Sequence, residues 1–120
     1  MNIFRALKEY FIHTFQRKHK PLIACKVEEL PDVLDSKCIY VVGEGSYNWF
    51  TAMICPCGCG ETLYMSLLPD DSPRWDITMH RDGTVSLYPS VWRKKGCKSH
   101  FFLRNGYIIW HKTFQRNLDK

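Results

Sequence analysis

The stretch ICPCGCGE, residues 54–61, decides how this chain folds and functions. Its three cysteines, Cys55, Cys57 and Cys59, alternate with a proline and a glycine, and Glu61 closes the stretch. Thiols this close together along the chain are poor disulfide partners for one another. The pattern therefore predicts that they are metal ligands.

The composition gives no reason to expect an oxidising compartment. The chain has 120 residues, 45% of them hydrophobic and 24% charged, which is typical of one globular domain. It has no run of about 18 apolar residues that would predict a membrane span. Charges interrupt residues 1–20, which lack the apolar core of a secretory signal. We therefore expect a cytoplasmic protein with reduced thiols and no membrane association.

A second cysteine loop, KKGCKSHFF, supplies further ligands downstream. Its Cys97 and His100 have the C-x-x-H spacing that is used around zinc. Zinc takes four thiolate or imidazole ligands in a tetrahedron, and Cys57, Cys59, Cys97 and His100 would provide them. Cys55 is an alternate ligand, or else a small buried residue that ends its strand. The sequence thus offers one ligand more than a closed zinc site needs.

Beyond Pro21, short apolar runs alternate with turn sequences, which predicts strands. The Asn-Gly pair in RNGY predicts a tight hairpin. Cys25 and Cys38 fall inside apolar runs and are predicted to be core residues. We predict a mainly β (α+β) fold class, with a single small antiparallel β domain over residues 21–120 whose zinc-binding loops join strands. The predicted strands are LIACKV, KCIYVV, WFTAMIC, ETLYMSLL, WDITMH, TVSLY, HFFLR and YIIWH.

Residues 1–20 are predicted to form an N-terminal amphipathic helix. Apolar side chains recur between residues 3 and 18 at the spacing of one helix face, and Pro21 should end the helix. This face either packs on the β domain or binds a partner. An oligomer formed through residues 3–18 is therefore an open alternative.

Several of these motifs together resemble a known family. CPCGCGE, PRWDI, LYPSVW and GCKSHFFLRNGYIIW are similar to the bacterial domain-of-unknown-function family numbered 6527. The resemblance implies a place in operons that encode ubiquitin-like proteins with E1-like and E2-like enzymes, often in antiphage defence islands. It also implies the role of the peptidase that trims the ubiquitin-like protein or removes it from targets. The matching elements are Cys55–Gly60, Pro73 and Trp75, Pro89 and Ser90, Gly96–Phe101, and Gly106–Trp110.

Hydrolysis at a zinc site needs an open position for water and a general base. Glu61 is the candidate base; otherwise it is an exposed residue at a strand edge. Ser90 and Ser99 are the other catalytic candidates, as hydrogen-bonding partners of a metal-bound thiolate or an oxyanion. As a nucleophile either serine would need a histidine; His80 is the nearest guess, and otherwise it is a surface residue in the turn MHRDG. With the peptidase role that the resemblance implies, these residues predict a zinc-dependent peptidase in which Glu61 carries the proton.

The alternative function is a binding module with a closed, structural zinc site. The net charge of +5 includes the basic stretches at 17–20 and 93–95, which suit an acidic protein surface or nucleic acid. The rings of Trp92 and Phe101 lie near these charges and are able to stack on bases. Nucleic acid is the weaker candidate, because the charge is modest and acids such as Glu28 dilute it.

Overall fold

The computed structural model describes residues 20–112, which form two four-stranded β-sheets. The N-terminal helix predicted for residues 1–20, and an oligomer through residues 3–18, lie outside the described residues except for Lys20. The extension of the β domain to residue 120 stays a prediction. Residues 20–112 contain no helix that is long and apolar enough to cross a membrane.

The first sheet is built from the first four strands in chain order. They are β1 (Ile23–Val27), β2 (Cys38–Glu44), β3 (Tyr47–Ile54) and β4 (Thr62–Ser66). β1 runs parallel to β2, while the other neighbouring pairs are antiparallel. The segment 28–37 carries the chain back across the sheet, as a parallel pair requires. The structure differs here from the antiparallel arrangement that the sequence predicts.

The second sheet is antiparallel throughout and contains the other four strands. They are β5 (Asp76–Met79), β6 (Val85–Trp92), β7 (His100–Arg104) and β8 (Tyr107–Trp110), in that order. A register shift in β6 sets three residues, 88–90, opposite the single residue Phe102. Pro89 is tolerated there because residues in a bulge leave the hydrogen-bonded ladder. The strand predicted to end at Tyr88 therefore continues to Trp92 and includes Ser90.

The two sheets share one apolar core. Its buried side chains come from β2, β3 and β4 of the first sheet and from β6 and β7 of the second. A smaller cluster lies around Tyr40, where Leu30 and Leu34 from the segment 28–37 pack. The most buried large side chains of the shared core are Ile39, Met53, Met65, Val85, Phe101 and Leu103.

Each sequence run predicted as a strand overlaps one strand of the structure, so the mainly β fold is confirmed. Asn105 and Gly106 form the turn between β7 and β8, with φ angles of 51° and 83°, as a tight hairpin turn requires. Gly106 N donates to Val85 O, and Leu22 N donates to Gly106 O, both at 2.8 Å. The turn therefore ties the chain that enters β1 to the second sheet.

Candidate active site and cysteine cluster

Four cysteine side chains meet where a loop from each sheet comes together. The Sγ atoms of Cys55, Cys57, Cys59 and Cys97 all lie within 4.8 Å of one another. Cys55 directly follows β3 and is 2% exposed. The backbone between Cys57 and Cys59 turns through Gly58 at a φ of 90°, which glycine adopts at little cost. Cys97 comes from the loop between β6 and β7.

The spacing of these four thiols fits a tetrahedral metal ion. Zinc–thiolate bonds of about 2.3 Å hold the sulfur atoms about 3.8 Å apart in a tetrahedron. Cys55 Sγ lies 3.4 Å from Cys57 Sγ and 3.7 Å from Cys97 Sγ. All four cysteines are free thiols, so their sulfur atoms are available as ligands. The cluster is therefore able to hold a metal ion, as the cysteine loops predict.

Ser99 and Arg93 contact the thiols of the cluster. Ser99 Oγ lies 3.0 Å from Cys97 Sγ, and Arg93 Nη1 donates to Cys97 Sγ at 3.0 Å and to Cys59 Sγ at 3.5 Å. Burial raises the pKa of Cys97, but hydrogen bonds from Ser99 outweigh this effect and lower the pKa to about 6. Burial and the neighbouring thiols raise the pKa of Cys57 to about 12. Cys97 is thus mainly thiolate at neutral pH, the form that binds metals.

Two of the residues predicted to be catalytic lie at this cluster. Ser99 is 0% exposed, and its hydroxyl contacts the thiols of both Cys55 and Cys97. Glu61 forms an ion pair with Arg93, which itself contacts the cluster. The structure therefore places Ser99 out of reach of a substrate and ties Glu61 to the guanidinium that contacts the thiols.

His100, predicted to be the fourth metal ligand, lies outside the cluster. Successive side chains of an extended chain point to opposite sides. Cys97 and Ser99 face the cluster, whereas His100 begins β7 and faces the outer side of the second sheet. Cys55, the alternate ligand of the sequence analysis, stands in the group of four instead.

Ser90 and His100 form a hydroxyl–imidazole pair on this outer face. Ser90 Oγ lies 2.8 Å from His100 Nε2. The two residues lie on neighbouring strands, and the bulge in β6 places Ser90 beside the ring. Burial, and secondly the charge of His111, lower the pKa of His100. The ring is therefore neutral near pH 7 and able to accept a proton from the hydroxyl.

Two further rings enclose the imidazole of His100. Its centroid lies 5.0 Å from that of Trp92 and 4.2 Å from that of His111, and both pairs are stacked at an interplanar angle of 10°. Trp92 belongs to β6 and His111 follows β8. Since β7 lies between these strands, the two rings cover opposite faces of the imidazole.

A second serine–histidine contact lies elsewhere on the same sheet. His80 Nε2 is 2.7 Å from Ser86 Oγ. The same oxygen accepts a hydrogen bond of 2.8 Å from Asn105 N, in the turn between β7 and β8. His80, the histidine considered first from sequence, therefore lies beside Ser86 and contributes to bracing the hairpin turn.

Comparison with known protein families identifies the family to which the chain belongs. The family model described as "Bacterial ubiquitination-like system serine protease (BubE)" matches residues 26–111, which is most of the chain. The chain belongs to the BubE family. The match supports the ubiquitin-like setting that the resemblance implied, but it does not support the family number 6527. No curated protein and no solved structure matches the chain.

The BubE description corrects the mechanism that the sequence predicts. BubE proteins are described as serine proteases, so the peptidase class is supported. The interpretation of the chain as a zinc-dependent peptidase, with Glu61 moving the proton of a metal-bound water, is wrong on this description. The ion pair between Glu61 and Arg93 agrees with this correction.

Proposed function

We propose that the chain is a serine peptidase in which Ser90 is the nucleophile and His100 is its general base. The observation that carries this proposal is the 2.8 Å contact between Ser90 Oγ and His100 Nε2. Both side chains are half-buried, so a substrate is able to reach them, unlike the buried Ser99. The description of the family as serine proteases supports the same assignment.

The proposed reaction proceeds through an acyl-enzyme. Ser90 Oγ attacks the scissile carbonyl carbon, and the hydroxyl proton passes to His100 Nε2. The carbon–nitrogen bond then breaks, and the leaving amine takes that proton, so the acyl group remains on Ser90. His100 next takes a proton from a water molecule, whose oxygen attacks the ester, and returns it to Ser90 Oγ. The hydroxyl is regenerated and the carboxylic acid is released.

The proposed substrate is the ubiquitin-like protein of the same system. Cleavage at its C-terminus would either process a precursor or remove the protein from a target. The family description, which names a ubiquitination-like system, supports this partner. The net charge of +5 suits docking on an acidic protein surface. A place beside E1-like and E2-like enzymes in an antiphage defence operon is part of the same proposal.

The cysteine cluster is proposed to hold a structural Zn²⁺. Its four ligands would be Cys55, Cys57, Cys59 and Cys97, whose mutual spacing supports this assignment. Four thiolates close a tetrahedral site, and such a site contributes folding energy. Bound zinc would supply a cross-link between the loops of the two sheets. The contacts that Ser99 makes with Cys55 and Cys97 suit a group that orients metal-bound thiolates.

Labelling with a fluorophosphonate, which phosphonylates activated serines, tests the proposed nucleophile and base. Ser90→Ala should abolish labelling, and His100→Ala should slow it by about 10⁶-fold, as removal of the histidine of such a unit does. Ser86→Ala and His80→Ala are matched controls, because this pair lies on the same sheet at a similar contact distance of 2.7 Å. Both controls should label at the rate of the unmodified protein, and thermal midpoints should show that all four variants fold. Labelling of Ser90→Ala at the original rate would refute the assignment.

Cleavage of the ubiquitin-like protein, extended by a C-terminal peptide, tests the proposed substrate. Mass spectrometry should find one cut at the end of the ubiquitin-like domain, and Ser90→Ala should make none. If Ser90 is labelled but the extended protein stays intact, the peptidase assignment stands and the proposed substrate is wrong.

A further inference from the structure

We infer that Trp92 and His111 are positioning residues, which hold the ring of His100 in line with Ser90 by stacking on its two faces. The inference rests on the proposed function, because it explains how the proposed base is oriented. It adds two residues to the pair of nucleophile and base.

The stack is regular on both faces of the imidazole. The planes of Trp92 and His100, and of His100 and His111, each deviate from parallel by only 10°. A ring that is sandwiched in this way cannot rotate about its Cβ–Cγ bond without driving its edge into a neighbour. The contact of 2.8 Å from His100 Nε2 to Ser90 Oγ lies at the edge of the ring, which the stack leaves open.

The strands fix the two outer rings relative to the base. Trp92 stands directly opposite His100 in the register of β6 and β7. On the other side, His111 N donates to His100 O at 2.8 Å. Since Trp92 is paired with His100 in the sheet and His111 is hydrogen-bonded to the backbone of His100, the backbone fixes where both rings lie. Sites built on strands hold their geometry better than sites built on loops.

Burial in the core does not account for the position of Trp92. The side chain is 60% exposed, although it is a large apolar group. Lys94 Nζ lies 5.1 Å from the centroid of the indole, so a cation covers part of its surface. The indole thus lies on the outer face of the sheet, where it stacks on the ring of His100.

The stack takes the place that a carboxylate has in a serine–histidine–aspartate triad. In such a triad an acid accepts a hydrogen bond from the other ring nitrogen and so orients the imidazole. Over residues 20–112, no aspartate or glutamate makes a hydrogen bond or ion pair with the side chain of His100. Within residues 20–112, the stacked rings of Trp92 and His111 are therefore the groups that would orient this imidazole.

The test compares removal of a ring with replacement by another flat ring. His111→Ala removes one face of the stack, whereas His111→Phe keeps an aromatic ring at the same point. The readout is the second-order rate constant for labelling of Ser90 by the fluorophosphonate at about pH 8, where an imidazole is neutral. We expect a loss of about 100-fold for His111→Ala, as small displacements of a catalytic group cause, and no more than about threefold for His111→Phe.

Trp92→Ala and Trp92→Phe repeat the comparison on the other face. Because Trp92 is exposed, its replacement leaves the core intact even if His111→Ala fails to fold. Lys94→Ala is the control for the cation that lies over the indole, and it should label normally. Rescue by phenylalanine at both positions separates ring stacking from the loss of a particular side chain.

The outcomes distinguish this inference from the proposed function. If Ser90 is labelled normally in folded His111→Ala and Trp92→Ala, the stack does not position the base, while the pair of Ser90 and His100 stands. If phenylalanine fails to rescue either position, the effect is not due to stacking and the inference is overturned. If the unmodified protein is not labelled at Ser90, the proposed function fails, and this inference fails with it.

Discussion

At the scale of single residues, the surroundings of His100 keep its imidazole uncharged. Burial removes water from the ring, and the charge of the stacked His111 opposes protonation; both lower its pKa. A neutral ring is the form that would accept the proton of Ser90 in the proposed mechanism. The same lowered pKa means that the folded chain binds fewer protons here than the unfolded chain, so this site also favours folding less as the pH falls.

The lowered pKa predicts how labelling of Ser90 depends on pH. An unperturbed histidine titrates near about 6.5, and His100 should titrate below that value. The labelling rate constant should therefore be level through neutral pH and fall only below about pH 6.5. Rates measured from about pH 4.5 to 8 give the midpoint, and His80→Ala should leave it unchanged. A midpoint above 6.5 would contradict the assignment of His100 as a base with a lowered pKa.

His100 also shows which part of the site could be predicted from the sequence and which part could not. The cysteine loops predicted a metal site, because thiols that are close in sequence are also close in space. The C-x-x-H spacing suggested His100 as a ligand. This spacing points both side chains at one metal ion only when both residues lie in a loop. His100 begins β7, where the alternation of side chains turns it away from Cys97. HFFLR was predicted as a strand, but only its pairing with the strand LYPSVW brings Ser90 and His100 together.

At the scale of elements, the bulge in β6 and the turn at Asn105–Gly106 shape the sheet that carries the pair. The turn was predictable, because the Asn-Gly pair is a local signal. The bulge was not, because Pro89 indicates the end of a strand unless the pairing of β6 with β7 is known. The parallel pairing of β1 with β2 was missed for the same reason, since it depends on where the segment 28–37 takes the chain.

Gly106 offers a test of how strongly this turn is built into the fold. A Cβ there would lie 2.6 Å from Leu22 O, and the φ of 83° adds strain for any other residue. Gly106→Ala should lower the free energy of unfolding by about 2 to 4 kcal/mol, measured by urea denaturation. Gly45→Ala is the matched control: its φ is 59° but no atom lies within 4 Å, so it should lose only about 1 kcal/mol. Equal losses would mean that the close approach to Leu22 O does not matter.

At the scale of the whole molecule, the cysteine cluster connects the two sheets. Three of its thiols follow β3 and one precedes β7, so a bound metal would cross-link loops that belong to different sheets. The shared apolar core already holds the sheets together. A metal bound there would therefore reinforce the packing of the two sheets.

Metal removal should thus affect stability before it affects chemistry. A chelator should lower the thermal midpoint by roughly 10 °C or more, because a structural zinc binds only the folded chain. Labelling of Ser90, measured below the midpoint of the metal-free protein, should change by no more than about threefold. Immediate loss of labelling at an unchanged midpoint would contradict a structural role for the metal.

Matched cysteine variants identify the ligands in the same experiment. Cys59→Ser should lower the bound metal well below one per chain, because Cys59 belongs to the cluster. Cys25→Ser should leave the metal content unchanged, because Cys25 packs on the other face of the first sheet. Neither side chain is fully buried, so loss of packing is small in both variants. Equal metal content in the two variants would exclude the cluster as the binding site.

β6 and β7 follow each other in the chain, so the contact between Ser90 and His100 joins residues that are close in sequence. Ser90 and His100 are 10 residues apart in the chain, whereas Cys55 and Cys97 are 42 apart. The entropy lost on closing a loop grows with its length, by about 1 kcal/mol between these two separations. The pair of Ser90 and His100 therefore forms within one hairpin of low contact order, whereas the contact between Cys55 and Cys97 joins distant parts of the chain.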